Sequence, residues 1–99
     1  MRIVWNQNAL DSLDKNINHL KKNWSTDVLV NFLDIVDEKV ELLKTYPEMG
    51  IICEFKPIFR QLVITKHITL FYEVETDEIY LHLFWLNFSD SLELQMLLS

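Results

Sequence analysis

The hydrophobic period of this chain changes once, near its single glycine. Before Pro47 the apolar residues recur at spacings of three and four, and beyond Pro57 they recur at twos. A chain with one such switch groups its helices and then its strands, so the expected class is α+β. With one Gly and two Pro in 99 residues there is no room for linkers or low-complexity tails. At 49% hydrophobic and 12% aromatic the sequence carries enough apolar material for one core, and a single domain over 1–99 is expected.

Arg2 to Trp5 is rich in strand formers, and Asn6-Gln7-Asn8 offers two possible N-caps for a helix. From Ala9 to Lys22, Leu10, Leu13, Ile17 and Leu20 share one helical face, and Asp11 and Lys15 are spaced to pair at i,i+4. Asn23-Trp24-Ser25 interrupts the pattern. Ser25 is a good N-cap and Asp27 suits the positive first turn of a second helix. Leu29, Phe32, Leu33, Val36, Val40 and Leu43 form its stripe, widened by Val28, Ile35 and Leu42. This helix should stop near Thr45, because the residue before Pro47 disfavours helical backbone. Two helices joined so tightly make an antiparallel hairpin.

Tyr46 to Pro57 reads as a loop, followed by strands over Ile58 to Thr65, Ile68 to Glu75 and Glu78 to Leu86, the last two joined at Thr76-Asp77. If Glu75 faces Glu78, an unbroken register pairs Tyr72 with Leu81, Leu70 with Leu83 and Ile68 with Trp85 on the core face. The opposite face then carries His67, Thr69, Phe71 and Glu73 beside Tyr80, His82 and Phe84. In the first of these strands, a three-residue loop places Leu62 and Ile64 inward and Arg60 near Tyr72; a two-residue loop would place Val63 inward. The former is preferred. The tail 88–99 fits a short helix or, through Leu92, Leu94, Met96 and Leu98, a strand. The sum is β-α-α-β-β-β, a helical hairpin packed on a small, mostly antiparallel sheet.

Charge is unevenly placed. All nine Lys and Arg lie within residues 1–66, whereas the net charge of −6 comes from acids beyond them: Glu73, Glu75, Asp77, Glu78, Asp90 and Glu93. Such a C-terminal third repels a phosphate backbone, so direct nucleic-acid binding is not expected. Cys53 is alone, no metal-ligand spacing surrounds it, and no stretch approaches the roughly 20 apolar residues of a membrane span. A cytoplasmic protein without metal or cofactor is expected.

Several runs, in their order, resemble the RelE/ParE superfamily of type II, or plasmid-stabilisation, toxins. They are Val4-Trp5 followed by Ala9, Asn23-Trp24-Ser25 with Phe32, and Leu42-Leu43-Lys44-Thr45-Tyr46-Pro47-Glu48-Met49-Gly50. Next come Phe59-Arg60-Gln61-Leu62-Val63-Ile64-Thr65-Lys66-His67 and Leu70-Phe71-Tyr72-Glu73-Val74. The resemblance spans residues 3–86. It implies a bacterial toxin that arrests growth and has a cognate antitoxin as partner, in one of two branches. RelE-like members cleave messenger RNA on the ribosome, with basic side chains stabilising the phosphate under attack. ParE-like members inhibit DNA gyrase by binding it.

This chain resembles the second branch more. Where the nucleases carry an Arg just before the Leu-x-Tyr run, it has Thr69, and a neutral hydroxyl cannot clamp a phosphate as a guanidinium does. Arg60 alone matches a basic position, and Leu86-Asn87-Phe88-Ser89-Asp90 supplies no cation. The expected role is therefore binding. The alternatives are an endoribonuclease site rebuilt from Arg60, Lys66, His67 and His82, and a non-toxic interaction module. Phe71, Tyr80 and Phe84, on the face away from the helices, together with Arg60, are the expected partner-binding residues. An antitoxin segment, a second copy of the chain in a homodimer, or the tail Leu92 to Leu98 could cover that aromatic patch.

Overall fold

The computed structural model describes residues 1–87 and 91–98; the stretch 88–90, counted above with the tail, lies outside the described residues. The elements are β1 (Arg2–Trp5), α1 (Gln7–Lys21), α2 (Thr26–Thr45), β2 (Ile51–Ile52), β3 (Phe59–Thr65), β4 (Ile68–Val74), β5 (Glu78–Leu86) and α3 (Ser91–Leu98). They form one sheet in the order β1-β5-β4-β3-β2, antiparallel except that β1 runs parallel to β5. The α+β hairpin-on-sheet architecture is as expected from the sequence. A two-residue strand inside the expected loop and a closing helix are added to it.

Ser25 caps α2, its Oγ accepting from the Val28 N–H at 3.4 Å. Phe32, Val36, Val40 and Leu43 of α2 are buried, as their spacing predicts, whereas Val28 and Leu42 stay largely exposed. In α1 the buried line runs through Ala9, Asn16 and Leu20, leaving Leu10 exposed, so the face is turned slightly from the expected stripe. The expected Asp11–Lys15 pair is not made, because Asp11 instead accepts from Gln7 Nε2 at 2.9 Å. The hairpin covers Leu62, Ile64, Ile68, Leu70, Tyr72, Ile79, Leu81 and Phe84 of the sheet. Val63 points to solvent, as the preferred β3–β4 loop requires, with an irregularity at Ile64 absorbing the extra residue.

Beyond Leu81 the expected β4–β5 register fails. Tyr72 pairs with Leu81, but Phe71 pairs with Leu83, so His82 is an inserted bulge residue. Each later side chain of β5 then changes face. Leu83 and Trp85 leave the hairpin side, and Phe84 joins it, stacking on Trp5 at 5.6 Å between ring centroids. On the other face Cys53, Phe59, Phe71, Leu83 and Trp85 make a second core, closed by Leu94 and Leu98 of α3. The tail is thus a helix, and it covers the aromatic surface the sequence leaves open. Among the described residues no helix is long and apolar enough to cross a membrane.

Candidate functional site

Three side-chain networks among the described residues hold the candidate polar residues of the sheet. The first lies between β3, β4 and the loop after α2. The wholly buried Tyr72 hydroxyl donates to the Pro47 carbonyl at 2.8 Å and accepts from the Gly50 N–H at 2.9 Å. Burial pushes this phenol above its ordinary pKa, an effect partly opposed by the Gly50 N–H and the nearby Arg60 charge. Arg60 sits opposite Tyr72 in the ladder, as expected, and donates to the Gly50 carbonyl at 2.9 Å. Its guanidinium therefore clamps the loop.

The second network surrounds the bulge. Asn6 precedes α1 but does not cap it through its side chain; its Nδ2 instead donates to His82 Nδ1 at 3.0 Å. The other ring nitrogen, Nε2, lies within hydrogen-bond distance of Glu73 Oε2, at 3.1 Å. Phe59 packs edge-on to the ring at 4.7 Å. A hydrogen bond to Glu73 raises the Glu75 carboxyl above its usual range. Nearby, Arg2 bonds Glu78, which also accepts from the Tyr80 hydroxyl at 2.9 Å, and these two donors, Arg2 first, lower the Glu78 pKa.

The third network closes the β3–β4 turn. Thr69, at the position where a cation would be needed, donates to Asn87 Oδ1 at 2.7 Å. Asn87 Nδ2 in turn donates to the Lys66 carbonyl at 3.0 Å. His67 lies beside Trp24, 6.5 Å between ring centroids, at the helix–helix turn.

The four residues considered for catalysis are therefore dispersed. Lys66 and His67 lie about 20 Å along β4 from the Glu73 end, at roughly 3.3 Å per residue. Arg60 is directed to Gly50 on the hairpin side, and both ring nitrogens of His82 are engaged by neighbours. Of the expected partner-binding aromatics, Phe71 and Phe84 are buried, 2% and 1% exposed, and only Tyr80 stays partly accessible. Phe71 lies under α3, and the bulge carries Phe84 to the opposite face; neither effect is visible in an unbroken alternation.

Sequence reasoning also missed a cleft of about 760 Å³ between α1 and α3, over β5. Its α1 wall includes Asp11, Lys15 and His19, its apolar side includes Phe59, Trp85 and Leu97, and His82 and Glu73 lie along it. The signal for it was the i,i+4 spacing of polar residues on α1, which reads equally as an ordinary solvated face.

The fold and these networks define a small α+β protein whose polar residues hold loops and strand edges in place. The family described as "ParE toxin of type II toxin-antitoxin system, parDE" matches residues 3–84, and the chain belongs to it. No curated protein sequence is matched. Among solved structures the chain is similar to the chromosomal ParDE toxin–antitoxin system from P. aeruginosa, with a TM-score of 0.74 and 19% identity over 87% of this chain and 95% of that one. It is also similar to a copper-bound mutant toxin from Helicobacter pylori, with a TM-score of 0.60 and 18% identity over 87% of this chain and 93% of that one. At these identities the likeness concerns the fold.

Proposed function

We infer that this toxin arrests growth by binding and inhibiting a protein target of the DNA gyrase kind in the cytoplasm, and that a cognate antitoxin holds it inactive. The observation that carries the reading is how the two sheet positions diagnostic of a nuclease are used. Thr69 offers only a neutral hydroxyl, bonded to Asn87, and the Arg60 guanidinium is drawn to the Gly50 carbonyl on the other face of the sheet, so the two positions do not converge on one scissile phosphate. A binding inhibitor needs no convergent acid, base and cation; it needs a rigid scaffold and accessible surface.

The test is induced expression of the chain alone, following growth, plasmid supercoiling and messenger integrity in the same cells. Arrest with altered supercoiling and intact messenger is expected, and co-expression of the antitoxin should relieve it. Arrest with messenger cut on the ribosome would overturn the reading.

A further inference from the structure

Large apolar side chains are left exposed around one edge of the sheet. Tyr46, Met49, Ile51, Ile52, Phe55 and Ile58 are each more than a third exposed, and all six fall between the end of α2 and the start of β3. A patch of that kind marks a contact surface. β2 is the last strand of the sheet, so its outer side pairs with no strand of the described residues. It consists of Ile51 and Ile52 alone, with no charge, proline or bulge within it to guard the edge.

The edge is held rigidly. Gly50, just before β2, donates its N–H to Tyr72 Oη and accepts from Arg60 at its carbonyl. Cys53, just after β2, donates its N–H to the Phe59 carbonyl at 2.9 Å. That bond also fixes how β2 presents its backbone. Cys53 occupies a hydrogen-bonded position opposite Phe59, so by the alternation of an antiparallel ladder Ile52, opposite Arg60, occupies a non-hydrogen-bonded one. The Ile52 N–H and C=O therefore point away from β3, out of the sheet. Ile51 and Ile52 stand on opposite faces, so an occupant that covers both must meet the edge itself.

We propose that β2 pairs with β2 of a second copy of this chain, antiparallel about a two-fold axis at Ile52, joining two five-stranded sheets into one. Such an axis sends the Ile52 N–H of each copy to the Ile52 carbonyl of the other, so the outward groups satisfy one another reciprocally. Charge selects a second copy as the occupant. Residues 46–60 hold two acids, Glu48 and Glu54, and two bases, Lys56 and Arg60, so the whole net charge of −6 lies outside this edge. Two acidic molecules meet there with the least repulsion. The axis also brings the residues before β2 to those after it, so Glu48 approaches Lys56 and Met49 approaches Phe55 of the other copy. A foreign strand would gain the two backbone bonds without this match on both flanks. At roughly 100 Å² each, six half-exposed large side chains and the backbone between them come to the order of the ~800 Å² per copy that a standard-sized interface buries.

The test is sedimentation of the purified full-length chain from micromolar to millimolar concentration. Concentration-dependent dimers are expected. Raising the salt should strengthen them by screening charge outside the edge, Glu73 and Glu75 beside Ile52 and Ile58 included. Ile52→Lys, at an exposed side chain and checked by an unchanged melting curve, should weaken association by about tenfold or more. Ile52→Cys reads the axis directly, because the facing Cα atoms of a hydrogen-bonded antiparallel pair lie about 5.5 Å apart, within disulfide reach. Oxidised glutathione, itself reduced to two thiols, should link two such chains. Val30→Cys, similarly exposed on α2, is the control, and the buried Cys53 should leave the wild type unlinked. A monomer throughout, a dimer that Ile52→Lys leaves intact, or linkage no faster at Ile52→Cys than at Val30→Cys would overturn the proposal. So would β2 amide shifts that appear only when the antitoxin is added, which would assign the edge to that protein. The purified chain is measured without target or growth arrest, so failure here leaves the toxin reading standing.

Discussion

Gly50 shows how one residue can be fixed by its surroundings. A Cβ there would lie 2.6 Å from Tyr72 Oη, 2.8 Å from its Cε1 and 3.0 Å from the Gln61 carbonyl. Tyr72 is wholly buried and hydrogen-bonded, so it cannot swing away. Gly50→Ala should therefore cost about 2–4 kcal/mol, by steric conflict and not by backbone conformation, in denaturant unfolding. Tyr72→Phe removes the clash-prone oxygen but orphans the Gly50 N–H and Pro47 carbonyl; a loss of about 1–3 kcal/mol is expected in the same assay. The sequence made the single glycine conspicuous and placed Arg60 beside Tyr72. It could not tell that Arg60 faces a carbonyl, because a guanidinium that holds a loop and one that holds a ligand look alike in one dimension.

At the scale of elements, β5 is the informative strand. β1 ends at Trp5, where the Asn6 N–H still reaches the Leu81 carbonyl, and past that point no strand of the described residues pairs with β5 on that side. Ser12 and Asn16 of α1 supply the missing ladder at Phe84. Asn16→Ala should leave that buried carbonyl unpaired, costing about 1–3 kcal/mol and speeding amide exchange in α1 and the end of β5. The periodicity of α1 was legible, yet its buried Asn16 was not, since an asparagine at that spacing ordinarily faces water. The His82 bulge was hidden for a related reason: Leu83, Phe84 and Trp85 are all apolar, so either register satisfies a count of buried side chains. The hairpin itself makes a pH prediction. Glu75 has a folded pKa above its ordinary 4.5 because protonation lets it bond Glu73. The native state thus holds that proton more tightly, and the associated stability is present below 4.5 and lost as pH rises through the folded value. Glu75→Gln supplies a donor at every pH, so the melting temperature of the variant should rise relative to the wild type on going from acid to neutral pH.

The whole molecule has two cores of unequal kind. The hairpin-side core joins β1, both long helices and three strands, whereas the second is closed by α3 through Leu94 and Leu98. Leu94→Ala with Leu98→Ala should undock α3 before it unfolds the domain, because a docked element can open locally at a lower cost than global unfolding. Dye binding to the uncovered Phe71 and Trp85 surface should rise strongly, while the global unfolding free energy falls by less than the roughly 4–10 kcal/mol that two such truncations cost in a rigid core. Architecture on the hairpin side was readable from period and order. The second core was not, because the tail fitted helix and strand equally well and its partners were exchanged by the bulge.

The parallel pairing of Arg2–Trp5 with Glu78–Leu81 bears on how the protein is born. During translation the first strand emerges with nothing to pair with, and it waits until β5, made after both helices and three other strands, has left the ribosome. Loop-closure entropy over so long a span makes this a late, slow contact, so the nascent chain stays without its assembled sheet until β5 has been made. A chain of this topology thus passes through an interval, set by the separation of β1 and β5 in sequence, in which β1 has been made and is still unpaired.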